Sequence, residues 1–197
     1  MTNKKTGKYD ILLESAMQMF VKKGYHLTKI KDITDNASLA AGTFYLYFKN
    51  KDDLLESLFM QYLNKGIAQL EAVNSKKISP EKKLEALIKE NIDFFYENND
   101  FFHIYVEHST KCDPHEHFKK NIDFVQIVLK MIEKIVIDGQ KSGVFRPDIN
   151  PILAARSFRG MILMNVMSVF VFKDIQAISR EELTDNIQKI FIKGITI

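Results

Sequence analysis

Four of the five histidines, His103, His108, His115 and His117, fall in one short segment, with Glu107, Cys112 and Glu116 among them. Imidazole, thiolate and carboxylate are the ligands of zinc and its transition-metal neighbours. Were helix to run through the segment, His103/Glu107 and His108/Cys112 would be i,i+4 pairs, each on one face. An all-α metal-binding protein or metal-dependent enzyme is therefore one reading of the chain. Against it, Pro114 interrupts the segment, and neither HExxH nor CxxC spacing occurs. The plainer reading is an exposed connection between helices. No glycine-rich phosphate loop, nucleophile elbow or catalytic-triad motif is present, so the expectation is a protein that is not an enzyme and carries no cofactor or metal.

A second set of residues points to a polyanion. Residues 1–51 hold nine lysines against four acids, while the remainder holds 19 basic and 21 acidic residues; the net charge is +3. A basic head on a mildly acidic body suits a nucleic-acid partner, although a merely solvated lysine-rich surface would give the same count. Ala40, Ala41, Gly42 and Thr43 are small. Bulk there would hold a helix off the floor of a major groove about 12 Å wide. Lys49 and Lys51 follow, where they could bind phosphates and fix the register.

The elements that must position these residues read as helices nearly throughout. The chain has 197 residues, 46% hydrophobic and 27% charged, with only eight glycines and four prolines. That composition is globular and disfavours a turn-dense all-β fold. A single cysteine excludes an internal disulfide framework. The polar, basic MTNKKTGKYD start has no apolar stretch behind it, and the longest apolar run, Gly160 to Phe172, is broken by Asn165 and Ser168. The expectation is a soluble, cytoplasmic protein with no membrane partner.

The first helix is expected from about Lys8 to Lys23, with Gly24 as its stop. Thr28 is expected to cap a short second helix carrying Ile30, Ile33 and Ala37. A tight turn at Ser38-Leu39 leads to a third, about Ala40 to Phe48. Asn50 caps a fourth that reaches about Asn74. Ser79-Pro80, Asp113-Pro114 and Asn150-Pro151 each pair an N-cap with a proline at the first helical position, and Ser179-Arg180-Glu181-Glu182 is a capping box. About nine helices result. Residues 28–48 have the layout of a helix-turn-helix, with Ile33, Ala37, Leu39, Phe44 and Phe48 on the inner face.

The run GYHLTKIKDITDNASLAAGTFYLYFKNKDDLL, residues 24–55, resembles the head of a TetR-type transcriptional regulator. Its most specific part is Gly42-Thr43-Phe44-Tyr45-Leu46-Tyr47-Phe48-Lys49-Asn50-Lys51. The resemblance implies an all-α fold: an N-terminal three-helix DNA-binding domain over 6–66 with the helix-turn-helix at about 29–48, then a larger helical effector-binding and dimerisation domain over 67–197. It implies that Thr43 and Tyr45 lie near bases or the adjoining backbone, with the small Ala40, Ala41 and Gly42 on the same DNA-binding surface, and that Thr28, Lys29, Tyr47, Lys49 and Lys51 lie near phosphates. Tyr45 and Tyr47 could instead be packing aromatics with wet hydroxyls. The sequence departs from the family at Thr34, where alanine is usual, at Ser38, where glycine is usual, and at Ala40, where a capping hydroxyl is common.

The resemblance also implies a homodimeric repressor released from an inverted-repeat operator in double-stranded DNA by a small-molecule effector. For the dimer, Ile162, Val169, Leu183, Ile187, Ile190 and Phe191 form apolar stripes on the last two helices; for the first of these helices the other reading is the centre of a monomer core. For a mostly apolar effector, Phe59, Phe94, Phe95, Phe102, Phe124, Met131, Phe158, Met161 and Met164 lie on helices that would surround a pocket, or else are plain core. The start KYDILL and the head motif are similar to the branch of the family that senses fatty acyl-CoA.

Overall fold

The computed structural model describes residues 3–109, 114–172 and 178–197, without the side chains at 3–6, 105, 107–109 and 114–124. Among the described residues there are nine α-helices: α1 Asn3–Lys23, α2 Ile30–Asn36, α3 Ala41–Phe44, α4 Lys51–Asn74, α5 Pro80–Glu97, α6 Asn99–Ser109, α7 Pro114–Lys141, α8 Pro151–Met167 and α9 Arg180–Ile195. A π-helical turn, Ser168–Phe172, continues α8.

Local chemistry sets most of these bounds. Gly24 (φ +80°) and Gly143 (φ +71°) end α1 and α7 in the left-handed region that glycine enters without penalty. Ser79 Oγ accepts from Lys82 N at 3.3 Å, Asn150 Oδ1 from Ile152 N and Leu153 N at 3.0 and 3.2 Å, and Ser179 Oγ from Glu182 N at 3.1 Å. Each satisfies a helix-start amide that the helix cannot satisfy itself. The expected cap at Asp113 lies outside the described residues.

Two expectations need correction. Thr28 does not cap α2. Its hydroxyl turns inward and donates to Gly24 O at 2.8 Å and Met19 O at 3.1 Å, and the N-cap is Lys29, whose own amide donates to Asp32 Oδ2 at 2.8 Å. The third helix is shorter than expected: α3 ends at Phe44, and the next bonds, Leu46 N to Thr43 O and Tyr47 N to Phe44 O, are one residue tighter than α. One α-type bond, Phe48 N to Phe44 O at 3.0 Å, follows, but a four-residue helix started by an uncapped alanine does not carry the ladder further.

The chain forms two compact units. The first comprises Met1–Asn64 and Asp100–Asp113; the second comprises Lys65–Asn99 and Pro114–Ile197. In the first, Leu12, Ala16, Phe20, Ile33, Phe44, Phe48 and Leu54 are buried. An aromatic stack, Tyr62 on Phe101 at 4.0 Å with Phe59 and Phe102 beside it, occupies its α4–α6 part. In the second, α5, α7, α8 and α9 share one apolar core that includes Leu87, Ile132, Phe158, Ile162 and Ile187. The segment Pro151–Phe172 is long and apolar enough to cross a membrane, with mean hydropathy 1.3. Here one face of it is core: Ala154, Ala155, Phe158, Ile162 and Val166 are buried.

Candidate nucleic-acid interface and effector cavity

In the first unit, α2 and α3 are fixed by buried apolar side chains inside and polar pins around them. Ile33 and Phe44 are fully buried and Phe48 nearly so, while Ala37 and Leu39 are half-buried. Ser15 Oγ donates to Ile33 O at 2.6 Å, and Asn36 Nδ2 donates to Ser15 Oγ at 2.9 Å and Gln18 Oε1 at 3.0 Å, tying α2 to α1. Thr34 is buried, and its hydroxyl is satisfied by Lys31 O at 3.1 Å. The turn to α3 passes through Ser38 at φ +53°, a conformation that strains a residue with a side chain.

With Phe44 and Phe48 inside, the other residues of the segment face outward. Ala40, Ala41 and Gly42 are exposed and Thr43 is half-buried. Tyr45 is 62% exposed, its ring edge-on to Phe44 at 5.4 Å. Tyr47 is half-buried, between Tyr9 at 6.1 Å and Phe48 at 6.4 Å. Leu46, to which the sequence reading gave no role, is 78% exposed between the two tyrosines. The signal for it was available, since 46 falls outside the 44/48 stripe just as 45 does.

The lysines divide. Lys29 and Lys49 are exposed. Lys51 is not directed at solvent. Its Nζ donates to Tyr25 O at 2.5 Å and Thr28 O at 2.9 Å and lies 4.2 Å from the centre of the Tyr25 ring. Burial holds its pKa below the usual lysine value, with Asp52 opposing. Tyr25 OH donates to Asp52, so the start of α4 and the α1–α2 connection hold each other at two points. Lys51 is placed to position the head, and Thr28, buried, is placed to do the same. At Asn50 a reciprocal box closes: Asn50 Oδ1 accepts from Asp53 N, and Asp53 Oδ2 from Lys49 N, both at 2.8 Å.

Of the residues expected around an effector, Phe59 and Phe102 belong to the first unit's aromatic stack. In the second, Phe94 lies beside Gly66, where an added Cβ would meet its ring at 3.5 Å, Met131 and Met161 lie partly buried against the core, and Met164 is exposed. Phe124 lies outside the described side chains. A cavity of about 20 Å³, room for one water, is lined by Asn91 and Phe95 of α5, Val128 and Ile132 of α7, and Phe158, Arg159, Ile162 and Leu163 of α8. Of the histidine segment, only His103 has a described side chain; His108, Cys112, His115 and His117 lie outside the description. Among the described residues no group of three His, Cys, Asp or Glu could hold a metal.

Most of the expected dimer stripe is used within the protomer. Ile162, Leu183, Ile187 and Phe191 are buried in its own core, Phe191 against Phe158 at 5.2 Å, and Val169 is partly buried there. Ile190 alone of the six is widely exposed, at 63%. Periodicity marks an apolar stripe; it does not mark which body covers it.

A helix-turn-helix with small, apolar and lysine side chains presented together, ahead of an all-helical core, defines a DNA-binding regulator. The profile of the bacterial regulatory proteins of the tetR family matches residues 12–58, and that of the tetracyclin repressor-like C-terminal domain matches residues 80–191. The chain belongs to the TetR family. It is 26% identical over 191 residues, 97% of each chain, to the fatty acid metabolism regulator protein of Bacillus subtilis. It is 27% identical to the transcriptional repressor KstR2 of Mycolicibacterium smegmatis, over 95% of this chain and 90% of that one. The crystal structure of FadR from Bacillus subtilis in complex with stearoyl-CoA superposes with a TM-score of 0.78 at 25% identity, covering 95% of this chain and 99% of that one.

Proposed function

We propose that this regulator is a homodimeric repressor that binds an inverted-repeat operator and is released by a mostly apolar effector of the fatty acyl class. The observation that carries the DNA half is the outward surface of residues 40–49. Thr43, Tyr45 and Leu46 read base edges, with Ala40, Ala41 and Gly42 permitting the approach. Lys29, Lys49 and Tyr47 meet phosphates, which fix position and carry no sequence information. The dimer is supported by the Pro151–Phe172 segment: it is apolar nearly all round from Gly160 onward, yet only 33% of its most apolar stretch is buried within the protomer. Leu153 and Met164 of α8, 62% and 61% exposed, and Ile190 of α9 are the side chains a second copy would cover. A twofold dimer presents the same head twice, which makes the site an inverted repeat.

The acyl effector rests on the Bacillus subtilis matches, a fatty acid metabolism regulator by sequence and FadR with stearoyl-CoA by structure, and on the apolar walls of the second unit's cavity. The protein acts in the cytoplasm by binding rather than catalysis. The effector releases DNA only through a higher affinity for the conformer that fits the operator poorly.

The test is a set of binding isotherms on operator and scrambled DNA at several salt concentrations. Leu46→Ala and Thr43→Ala should each shift base preference by on the order of 1 kcal/mol at one or two positions per half-site and leave the salt slope unchanged. Uniform weakening on all sequences would place the reading surface elsewhere.

A further inference from the structure

Two backbone bonds set how the outward side chains of residues 40–46 line up. Thr43 N donates to Ala40 O at 2.8 Å, and Leu46 N donates to Thr43 O at 3.3 Å. Each bond spans three residues, the 3₁₀ spacing, in which side chains three apart eclipse instead of spiralling round the axis. Ala40, Thr43 and Leu46 therefore stand in one column. Ala40 and Leu46 are exposed and Thr43 is half-buried, so the column lies along the outer edge of the segment. Its members share methyl groups: the side chain of Ala40, the methyl beside the hydroxyl of Thr43, and the branched tip of Leu46. One exposed leucine is ordinary on a protein surface. A column of methyls on the surface that meets a major groove restricts what that surface can read.

Bases are told apart in the major groove chiefly by paired hydrogen bonds: arginine or lysine on guanine, asparagine or glutamine on adenine, a carboxylate on cytosine. Residues 40–48, Ala-Ala-Gly-Thr-Phe-Tyr-Leu-Tyr-Phe, include none of these types. The hydroxyls of Thr43 and Tyr45 donate and accept alike, so each tolerates either kind of edge. The feature left for this surface to select is the C5-methyl group, which thymine alone among the four bases carries there. An aliphatic tip laid against it takes apolar area on both partners out of water.

We propose that the operator is read through thymine 5-methyl groups, with Leu46 as the residue that sets the preference and the methyl of Thr43 as the second contact in the column. This rests on the DNA-binding reading given above and adds to it the group on the base that is recognised and the side chains that select it. Removing a methyl from the DNA should then weaken binding at those positions although every hydrogen-bonding atom of the base stays in place.

The experiment first selects duplexes from a random pool with the full-length protein, then replaces each thymine of the selected site in turn by uracil and measures binding. At one or two positions per half-site, uracil should bind about fourfold more weakly than thymine, and about sixteenfold when both half-sites are changed. At the same positions 5-methylcytosine should bind more tightly than cytosine by a similar factor. Leu46→Ala should bind the thymine and uracil forms alike at the most sensitive position. Thr43→Ser, which keeps the hydroxyl and loses the methyl, should narrow the gap at a second position, and Thr43→Val, which does the reverse, should keep it. A selected site on which thymine and uracil bind equally throughout overturns the methyl reading and leaves sequence-specific DNA binding standing. A gap that survives unchanged in a folded Leu46→Ala protein overturns the assignment to this column. Failure to select any sequence overturns the DNA-binding reading, and this inference with it.

Discussion

In the head, single polar contacts with named partners set where the short helices lie: Ser15 on Ile33 O, Asn36 on Ser15 and Gln18, Lys51 on Tyr25 O and Thr28 O. In the body, α5, α7, α8 and α9 meet through a shared apolar core, with side-chain bonds such as Gln188 to Glu85 O at 2.9 Å and Arg180 to Asp93 at 3.3 Å crossing between them. The two regions suit different tasks. A surface that must match a repeating groove gains from contacts that permit one geometry. A core that must admit a ligand gains from contacts that can slide.

The contrast is broken most directly at two isoleucines three residues apart. Ile187→Asp places a charge in the body's own core and should cost more than about 4 kcal/mol, leaving little folded protein. Ile190→Asp should leave the protomer's own folding free energy within about 0.5 kcal/mol of wild type and yield monomers that bind operator poorly. Sedimentation with thermal melts separates them. A dimeric, folded Ile187→Asp protein would show that the stripe is not core, and a dimeric Ile190→Asp protein would remove α9 from the partner contact.

Two lysines sharpen the comparison from the side of the head. Lys51→Ala removes two hydrogen bonds that position the α1–α2 connection and should cost about 1–2 kcal/mol of stability, with the salt dependence of DNA binding unaltered. Lys49→Ala should not alter stability but should lower the magnitude of the salt slope by about 0.9 per phosphate contact, roughly 1.8 for a dimer. Exchanged results would mean that Lys51 leaves its carbonyls for phosphate on DNA.

How much could be read beforehand follows the same division. Asn50, Ser79, Asn150 and Ser179 were identifiable as caps because a cap satisfies amides two or three residues away. The inward turn of Lys51 was not, because its acceptors come from a connection more than twenty residues earlier. Thr28 has the right residue type for a cap, and only the nearby carbonyls of Met19 and Gly24 decide against it. In the body, aromatic and aliphatic spacing identified helices and their apolar faces. It could not divide Ile187 from Ile190, or send Phe59 and Phe102 to one unit and Phe95 and Phe158 to the other, since each assignment depends on packing between distant helices.

Smaller effects test the head's geometry further. Ser38→Gly relieves a left-handed φ and should stabilise the protein by about 0.5–1 kcal/mol, less than the full strain because glycine orders at greater entropic cost. A destabilised variant would show that the hydroxyl compensates the turn. Smallest is Asp32, whose carboxyl is held below its ordinary value of 3.8, first by the Lys23 ammonium and then by the Lys29 amide. A depressed carboxylate stabilises fully above the unfolded value, and that contribution is lost as pH falls through the lower folded one. Wild type should therefore melt slightly above Asp32→Asn at neutral pH, and the gap should close below pH 3.8. A gap that persists in acid would assign the difference to something other than ionisation.

Gly139 lies within α7, and a Cβ built there would sit 2.0 Å from the ring of Phe145, which folds back from the following turn and is fully buried. The two positions are therefore one unit of inheritance. A lineage in which 139 gains a methyl group must already have a smaller residue at 145, or acquire one at once, so divergent copies of this chain should rarely pair a side chain at 139 with phenylalanine at 145. The order of change is thereby set: 145 shrinks first, or both move together.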